Sequence, residues 1–262
     1  MLAVIAGRGK LPAALVEGMK QLPFIASLEG FAPDFLVPDR TFRLEHLGTL
    51  ISELKALGVT EVCFVGAISR PKIDPSQFDS ETLPLVPRMI AALQAGDDGA
   101  LRIVLEIFEE AGLTIRAADE FAPTLLPRSG VITARRIDDE HRADAKRAEE
   151  IVAGLGSLDI GQSCVVHRGQ ALAIEGSFGT DWMLQSLVNR PGGQGGLFYT
   201  ASKPGQDRRI DLPVIGVDTV AGVAKAGLAG IVIETNGVMV LDLSVVERAA
   251  DEAGLFLWVR DQ

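Results

Sequence analysis

Residues 2–12 read LAVIAGRGKLP, and the order of residue types in this stretch decides the fold class. The apolar run from Leu2 to Ala6 has the length of a buried strand, and Gly7-Arg8-Gly9 ends it. Leu11 and Pro12 follow, and proline suits a first helical turn, so a helix is expected over 13–20. Strand, glycine turn, helix is how a parallel α/β sheet begins. Backbone N–H groups at such a helix start can hold a phosphate, but a dinucleotide fingerprint asks for a third glycine where Pro12 stands. The stretch is read two ways: as a phosphate or nucleotide loop, and as a tight β–α turn.

The alternation continues outward. Residues 24–28 form a second apolar run, and Leu44, Leu47, Leu50, Ile51, Leu54 and Leu57 recur at helical spacing over 42–57. Residues 61–68, EVCFVGAI, form a buried strand that ends at Ser69-Arg70-Pro71. An arginine there either stands at the carboxyl end of a strand, where open α/β sheets bind ligands, or lies on the surface beside a turn. Gly96-Asp97-Asp98 precede a helix over 99–111. The aspartates suit N-capping, and two adjacent acids alone make a poor metal signature. Residues 113–117 complete this half as another strand.

From Asp119 to Arg147 prolines, Gly130 and a run of charges replace the apolar pattern, which reads as a linker with a boundary near Ala134. Two domains are expected, 1–133 and 134–262. In the second, an amphipathic helix over 140–155 points Ala143, Ile151, Val152 and Leu155 to a core. Residues 162–175 form a hairpin about Arg168-Gly169. A helix from Gly179 to Val188 takes Thr180 or Asp181 as its cap. A second hairpin joins 229–234 to 238–241 through Thr235-Asn236-Gly237, and a helix over 244–254 and a strand over 255–259 follow. The fold class is α/β, with a parallel sheet in the first domain and mixed strand directions in the second.

Composition narrows the function. At 262 residues and 47% hydrophobic, the chain can bury a sizeable core in each of two domains. A formal net charge of −10 argues against attraction to polyanions, so nucleic acid is not an expected partner. A phosphorylated ligand would need local donors or a metal ion. Cys63 and Cys164 lie in apolar runs and read as inert thiols of a reducing compartment. No apolar run spans a bilayer and no basic leader precedes Gly7, so a cytoplasmic location is expected.

His46, His141 and His167 are dispersed, which speaks against zinc, and no nucleophile elbow or P-loop lysine motif occurs. The remaining chemistry concentrates in residues 203–219, KPGQDRRIDLPVIGVDT, where Pro204 and Gly205 break any helix. This is either a catalytic loop or a solvated charged surface loop. Asp207 and Asp211 are four apart, with Asp218 and Glu175 as candidate neighbours. Oxygen ligands of this kind suit Mg²⁺ on a diphosphate, with Lys203, Arg208 and Arg209 offsetting phosphate charge. Asp211 directly precedes Leu212-Pro213, which fixes its backbone as a metal ligand or base requires; Asp207 reads as solvated.

Taken together, AGRGKLP, VCFVGAISRP, GDDGALR, LDIGQ, KPGQDRRIDLPVIG and AGLAGIVIE resemble, in order and spacing over essentially the whole chain, the LpxI-type UDP-2,3-diacylglucosamine pyrophosphatases. The resemblance implies an N-terminal Rossmann-like domain and a C-terminal domain with the substrate in a cleft between them. It implies Mg²⁺-dependent hydrolysis to UMP and 2,3-diacylglucosamine 1-phosphate in lipid A synthesis, water attacking the sugar-side phosphorus. By motif, the family's essential aspartate falls on Asp211, as catalytic residue and metal ligand. Gly9, Leu11 and Pro12 fall in a first ligand loop and Ser69-Arg70 in a second. Gly96, Asp97, Asp98, Gln162 and Thr180 match recurrent positions, and Lys203 and Gln206 complete the expected substrate contacts. Family members carry a further lysine a few residues before the KP pair, where this chain has Thr200. The implied lipid substrate needs an apolar groove, for which Phe178, Trp182, Met183, Leu184, Leu187 and Val188 are candidates, with core packing as the alternative for at least half of them. It also implies transient contact with the inner face of the membrane. A homo-oligomer stays open, as do two rival readings: a nicotinamide-dependent oxidoreductase, disfavoured by Pro12, and a non-catalytic nucleotide- or lipid-binding regulator.

Overall fold

The computed structural model describes residues 1–69, 72–210 and 212–261, without the side chains of Asp97 and Asp98. The expectations at Arg70 and Asp211, and those for the two acidic side chains, therefore lie outside the described residues. The chain forms two compact units. The first holds Met1–Pro123 together with 207–210, and the second holds Thr124–Gln206 together with 212–261.

In the first unit the elements run β1 (Leu2–Ala6), α1 (Leu11–Glu17), β2 (Phe24–Leu28), β3 (Arg40–Phe42), α2 (Leu47–Ala56), β4 (Glu61–Val65), α3 (Val86–Gln94), α4 (Asp97–Glu110) and β5 (Thr114–Arg116). The strands are all parallel, in the order β3-β2-β1-β4-β5. Ala3, Val4, Ile5 and Ala6 are buried in succession, as are Val62 and Cys63, because the central strands are covered on both faces. This is why they read as continuous apolar runs. Leu50, Leu54, Leu105 and Phe108 from α2 and α4 complete the core, with the Phe64 and Phe108 rings edge to face at 5.1 Å. Strand order reverses between β1 and β4, and ligands of open α/β sheets bind outside the carboxyl ends of strands at such a switch point.

Several element boundaries differ from expectation, among them α1, which ends at Glu17 rather than at 20, and β4, which ends at Val65 rather than at 68. The helical spacing over 42–57 contains β3's last residue and a short 3-10 turn before α2 begins at Leu47. Helix α4 begins at Asp97 with Gly96 as its N-cap, so Asp97 and Asp98 occupy the first turn rather than the capping position.

In the second unit the elements are β6 (Gly130–Val131), α5 (Asp139–Ser157), β7 (Ser163–His167), β8 (Gln170–Ile174), α6 (Gly179–Ser186), β9 (Leu197–Thr200), β10 (Val214–Ile215), α7 (Val217–Lys225), β11 (Gly230–Glu234), β12 (Met239–Val240), α8 (Leu243–Glu252) and β13 (Phe256–Arg260). The main sheet has the order β6-β13-β11-β9-β7-β8, with β9, β11 and β13 parallel and β6, β7 and β8 entering antiparallel. Strand directions are mixed, as expected.

The first hairpin forms at Arg168 (φ 49°) and Gly169 (φ 74°), two left-handed residues in a row. Buried Asp144 of α5 locks it, accepting the Arg168 N–H at 2.9 Å and the Gly169 N–H at 2.7 Å. Helix α5 keeps most of the expected face: Val152 and Leu155 are buried and Ile151 packs against the core, whereas Ala143 is exposed and Ala145 and Ala148 take the inward positions of the first turns. Asp144, beside Ala145, is buried on the side that meets the turn.

The second hairpin does not form. Strand β11 has both edges occupied, by β9 and β13, so β12 pairs in parallel with β10 in a separate two-stranded sheet. The turn residues behave as read, Asn236 taking φ 53°, but the chain that follows them leaves the main sheet. Among the described residues, no helix is long and apolar enough to cross a membrane.

Candidate functional site

In the first unit the loops after β1 and β4 meet at the switch point. The Arg8 N–H donates to the Ala67 carbonyl at 2.9 Å, and the Ala67 N–H returns to the Arg8 carbonyl at 3.0 Å. Such an approach needs glycine on both sides. A Cβ on Gly7 would lie 2.7 Å from the Ala67 oxygen, and one on Gly66 (φ +92°) 2.7 Å from the Gly7 oxygen. Arg8 also donates to the Gly30 carbonyl at 2.6 Å and covers the Phe31 ring. The N–H groups of Gly7 and Arg8 are therefore engaged within the protein, and of the two readings of this glycine turn the tight β–α turn describes those two positions. Pro12 is buried in the first turn of α1, Leu11 is half-buried, and Gly9 (φ +96°) has open space on its Cβ side. Ser69 is exposed after β4.

The loop after β4 is braced from below. Glu45, almost fully buried, accepts the Asp74 N–H at 2.7 Å and pairs with Arg43 at 3.3 Å. Burial alone would raise its pKa, but the Arg43 guanidinium and the Asp74 N–H outweigh that and hold it below the ordinary 4.5. Further along, the buried Thr82 hydroxyl accepts the Gly48 N–H at 2.9 Å. Helix α4 leads straight into β5, so Gly96 at its start lies toward the carboxyl ends of the same sheet.

In the second unit a polar cluster forms at the carboxyl end of β9. Register places Ser163 opposite Thr200, so the start of β7 lies there too. Glu175, just past β8, is buried and uses both carboxylate oxygens. Oε2 accepts the Gln162 N–H at 3.0 Å, and Oε1 accepts from the Thr180 hydroxyl at 2.7 Å. The Ser163 hydroxyl donates to Thr200 Oγ1 at 3.0 Å, which donates on to the Gln162 carbonyl at 3.2 Å. Gly161 admits the Glu175 backbone, since a Cβ there would stand 2.5 Å from the Glu175 carbonyl oxygen. Thr180 thus serves Glu175 instead of capping α6, whose N-cap is Phe178. Thr200 is a buried member of this network. One atom in it lacks a partner: Gln162 Oε1 is buried and accepts no hydrogen bond among the described residues. A buried acceptor of that kind calls for a donor or a cation from outside the chain, or for water.

The loop leaving β9 carries Lys203 and Gln206. Lys203 Nζ pairs with Asp159 Oδ1 at 2.7 Å with its side chain only 11% exposed, and its N–H donates to Gln206 Oε1 at 2.9 Å. Beyond Gln206 the chain joins the first unit. Asp207 is not solvated as the sequence suggested. Its carboxylate takes Arg209 Nη2 at 2.6 Å and Nε at 2.9 Å, and that pairing holds it below the ordinary 3.8.

The remaining expectations divide. Met183, Leu184 and Leu187 are core residues of the second unit, whereas Phe178, Trp182 and Val188 are exposed. The Phe178 and Trp182 rings lie 5.2 Å apart, at the end of the unit that carries Thr180 and Glu175. Among the described residues no three His, Cys, Asp or Glu side chains converge as a metal cage. The sequence reading passed over Glu109 and Glu45 and named Glu175 only as a neighbour of other carboxylates; no local pattern distinguishes these three from surface glutamates.

The sequence model of the LpxI N-terminal domain matches residues 1–125, and that of the LpxI C-terminal domain matches residues 128–258. A relative from Caulobacter vibrioides (strain ATCC 19089 / CIP 103742 / CB 15), named UDP-2,3-diacylglucosamine pyrophosphatase LpxI, is 37% identical over 268 residues, covering 98% of this chain and 96% of the relative. With both domains matched in order and a relative aligned end to end, the chain belongs to the LpxI family.

Proposed function

We propose that this chain hydrolyses the diphosphate of UDP-2,3-diacylglucosamine to UMP and 2,3-diacylglucosamine 1-phosphate, with Mg²⁺, as a step of lipid A biosynthesis. The observation that carries the reading is the end-to-end match to a relative named for that substrate. The site chemistry is consistent with it. A diphosphate at neutral pH offers only acceptors, so the unpaired Gln162 Oε1 suits the other end of such a substrate, where sugar hydroxyls and the acylamide N–H are donors. Lys203, held by Asp159, brings a positive charge to the loop after β9.

For the ion, the ligand we propose is Asp211, on which the resemblance places the family's aspartate and whose carboxylate is a hard oxygen donor. Bound there, Mg²⁺ would supply Lewis-acid polarisation of the phosphoryl oxygens. Asp211 would orient the attacking water. The water oxygen bonds to the sugar-side phosphorus and its proton passes to solvent, the bond from that phosphorus to the bridging oxygen breaks, and UMP leaves with that oxygen. Gln162 and Thr180, fixed through Glu175, would hold the sugar.

The substrate's acyl chains keep it in a bilayer, so a chain acting on it must visit that surface. Exposed Phe178 (76%) and Trp182 (59%) are the aromatic residues suited to that contact. The test is ³¹P NMR of the purified protein with UDP-2,3-diacylglucosamine, Mg²⁺ and H₂¹⁸O. UMP should appear with the isotope in the sugar phosphate. Unchanged substrate, or label in UMP, overturns the reading or its point of attack respectively.

A further inference from the structure

Residues 207–210 are displaced from their sequence neighbours: they belong to the first unit, although Gln206 before them and Leu212 after them belong to the second. Two contacts tie them to the rest of that unit, and a third braces the segment internally. Arg209 Nη1 donates to Glu109 Oε1 on α4 at 2.7 Å. Ile210 packs against the core built from β1, β2, β4, α2 and α4. Asp207 grips the same arginine through Nη2 and Nε, and its Oδ1 takes the Arg209 N–H at 3.1 Å. The Ile210 N–H closes the turn on the Asp207 carbonyl at 3.2 Å. On α4, Arg102 also faces Asp207 electrostatically and favours its charged form.

This arrangement is poorly suited to adding stability. Arg209 and Glu109 are each 41% exposed, and exposed ion pairs contribute little. It is well suited to fixing direction. A planar guanidinium shared between two carboxylates has one orientation, which the rotatable ammonium of lysine lacks. The turn it fixes ends at Ile210, and the next residue in the chain is Asp211.

We infer that Arg209 is a positioning residue: clasped by Asp207 and seated on Glu109 of α4, it sets the backbone immediately ahead of the family's catalytic aspartate. The inference rests on the hydrolase reading above. It assigns a function in turnover to Glu109, which lies 102 positions before Asp211 in the sequence.

The test compares Arg209→Leu, Arg209→Lys and Glu109→Gln in the full chain, using steady-state hydrolysis of UDP-2,3-diacylglucosamine and amide hydrogen exchange of the peptide covering 203–213. Misplacing a reacting group lowers the rate more than it weakens binding, so Arg209→Leu should lose about tenfold or more in kcat with KM within about threefold. Exchange over 207–210 should quicken while the melting temperature stays near that of the parent. Arg209→Lys should fall between, since it can reach Glu109 but cannot fork Asp207. If Arg209→Leu fails to fold, Glu109→Gln, which keeps the Asp207 fork, decides the matter. Parental kcat in these variants, or a rise in KM alone, overturns the positioning role. Turnover by the parent chain separates the two claims: its absence overturns the proposed reaction, and this role with it, whereas parental turnover with unaffected variants overturns only this role.

Discussion

The Thr180 hydroxyl donates to Oε1 of Glu175 across 2.7 Å, and that carboxylate is buried with its other oxygen on the Gln162 N–H. Glu175→Gln would turn an NH₂ group toward one of two donors. An unmet buried donor costs about 1–3 kcal/mol, so urea unfolding should shift to a lower midpoint by that amount. The same variant should raise KM for the proposed substrate, because Gln162 and Thr180 lose their common anchor. Unchanged midpoint and KM would show that Glu175 supports neither residue.

The buried Asp144 carboxylate caps the β7–β8 turn by accepting two charge-assisted hydrogen bonds from its N–H groups. Asp144→Ala should destabilise the chain by roughly 2–4 kcal/mol, since two turn N–H groups lose their acceptor. The measurement is equilibrium unfolding in urea, with the slope m retained if the transition stays two-state.

Burial pushes the Cys63 and Cys164 thiols from an ordinary 9.0 up to about 12. Between those values the unfolded chain has released protons that the folded chain still holds, so stability falls as pH rises above 9. Each thiol contributes at most about 1.4 kcal/mol per pH unit to that fall. Replacing both by alanine should flatten the alkaline limb of a stability–pH curve, although the cavities lower its plateau. In the native protein near pH 8, iodoacetamide should label neither cysteine, and both should react once urea unfolds the chain.

Removal of the metal tests the cofactor proposal directly. Excess EDTA should abolish hydrolysis of UDP-2,3-diacylglucosamine, and added Mg²⁺ should restore it, because oxygen ligands of the Asp211 type bind such ions reversibly. Full turnover in EDTA would exclude the metal from the reaction.

Asp211→Ala should reduce kcat on the order of 10³-fold with far less effect on binding, since an oriented, metal-assisted nucleophile acts on the transition state. Mass spectrometry of lipid extracted from this variant should find unhydrolysed substrate. A parental kcat would remove Asp211 from the catalytic assignment.

Much of the architecture was legible in the sequence because it is local. The runs at 2–6, 24–28 and 61–68 are mainly apolar, as strands covered on both faces are, and they form the parallel sheet they suggest, the third strand stopping at Val65 before Gly66. The Arg168-Gly169 turn is equally local, since backbone conformation at two residues sets the β7–β8 hairpin. Family membership was legible too, being carried by motifs along the whole chain and matched by both domain comparisons.

Other features depend on competition between distant segments. Thr235-Asn236-Gly237 has turn chemistry, yet β12 pairs with β10 because β9 and β13 already occupy the edges of β11. Gly7 and Gly66 are separated by 58 residues, and only their backbone approach explains why each must lack a side chain. Asp207 looks solvated beside Arg208, but the tertiary fold turns Arg209 onto it and onto Glu109, 100 positions earlier. A sequence read by period and propensity registers neighbours within a few residues. Hydrogen-bond partners for buried carboxylates such as Glu175 and Asp144 are chosen only when packing has removed water as the alternative.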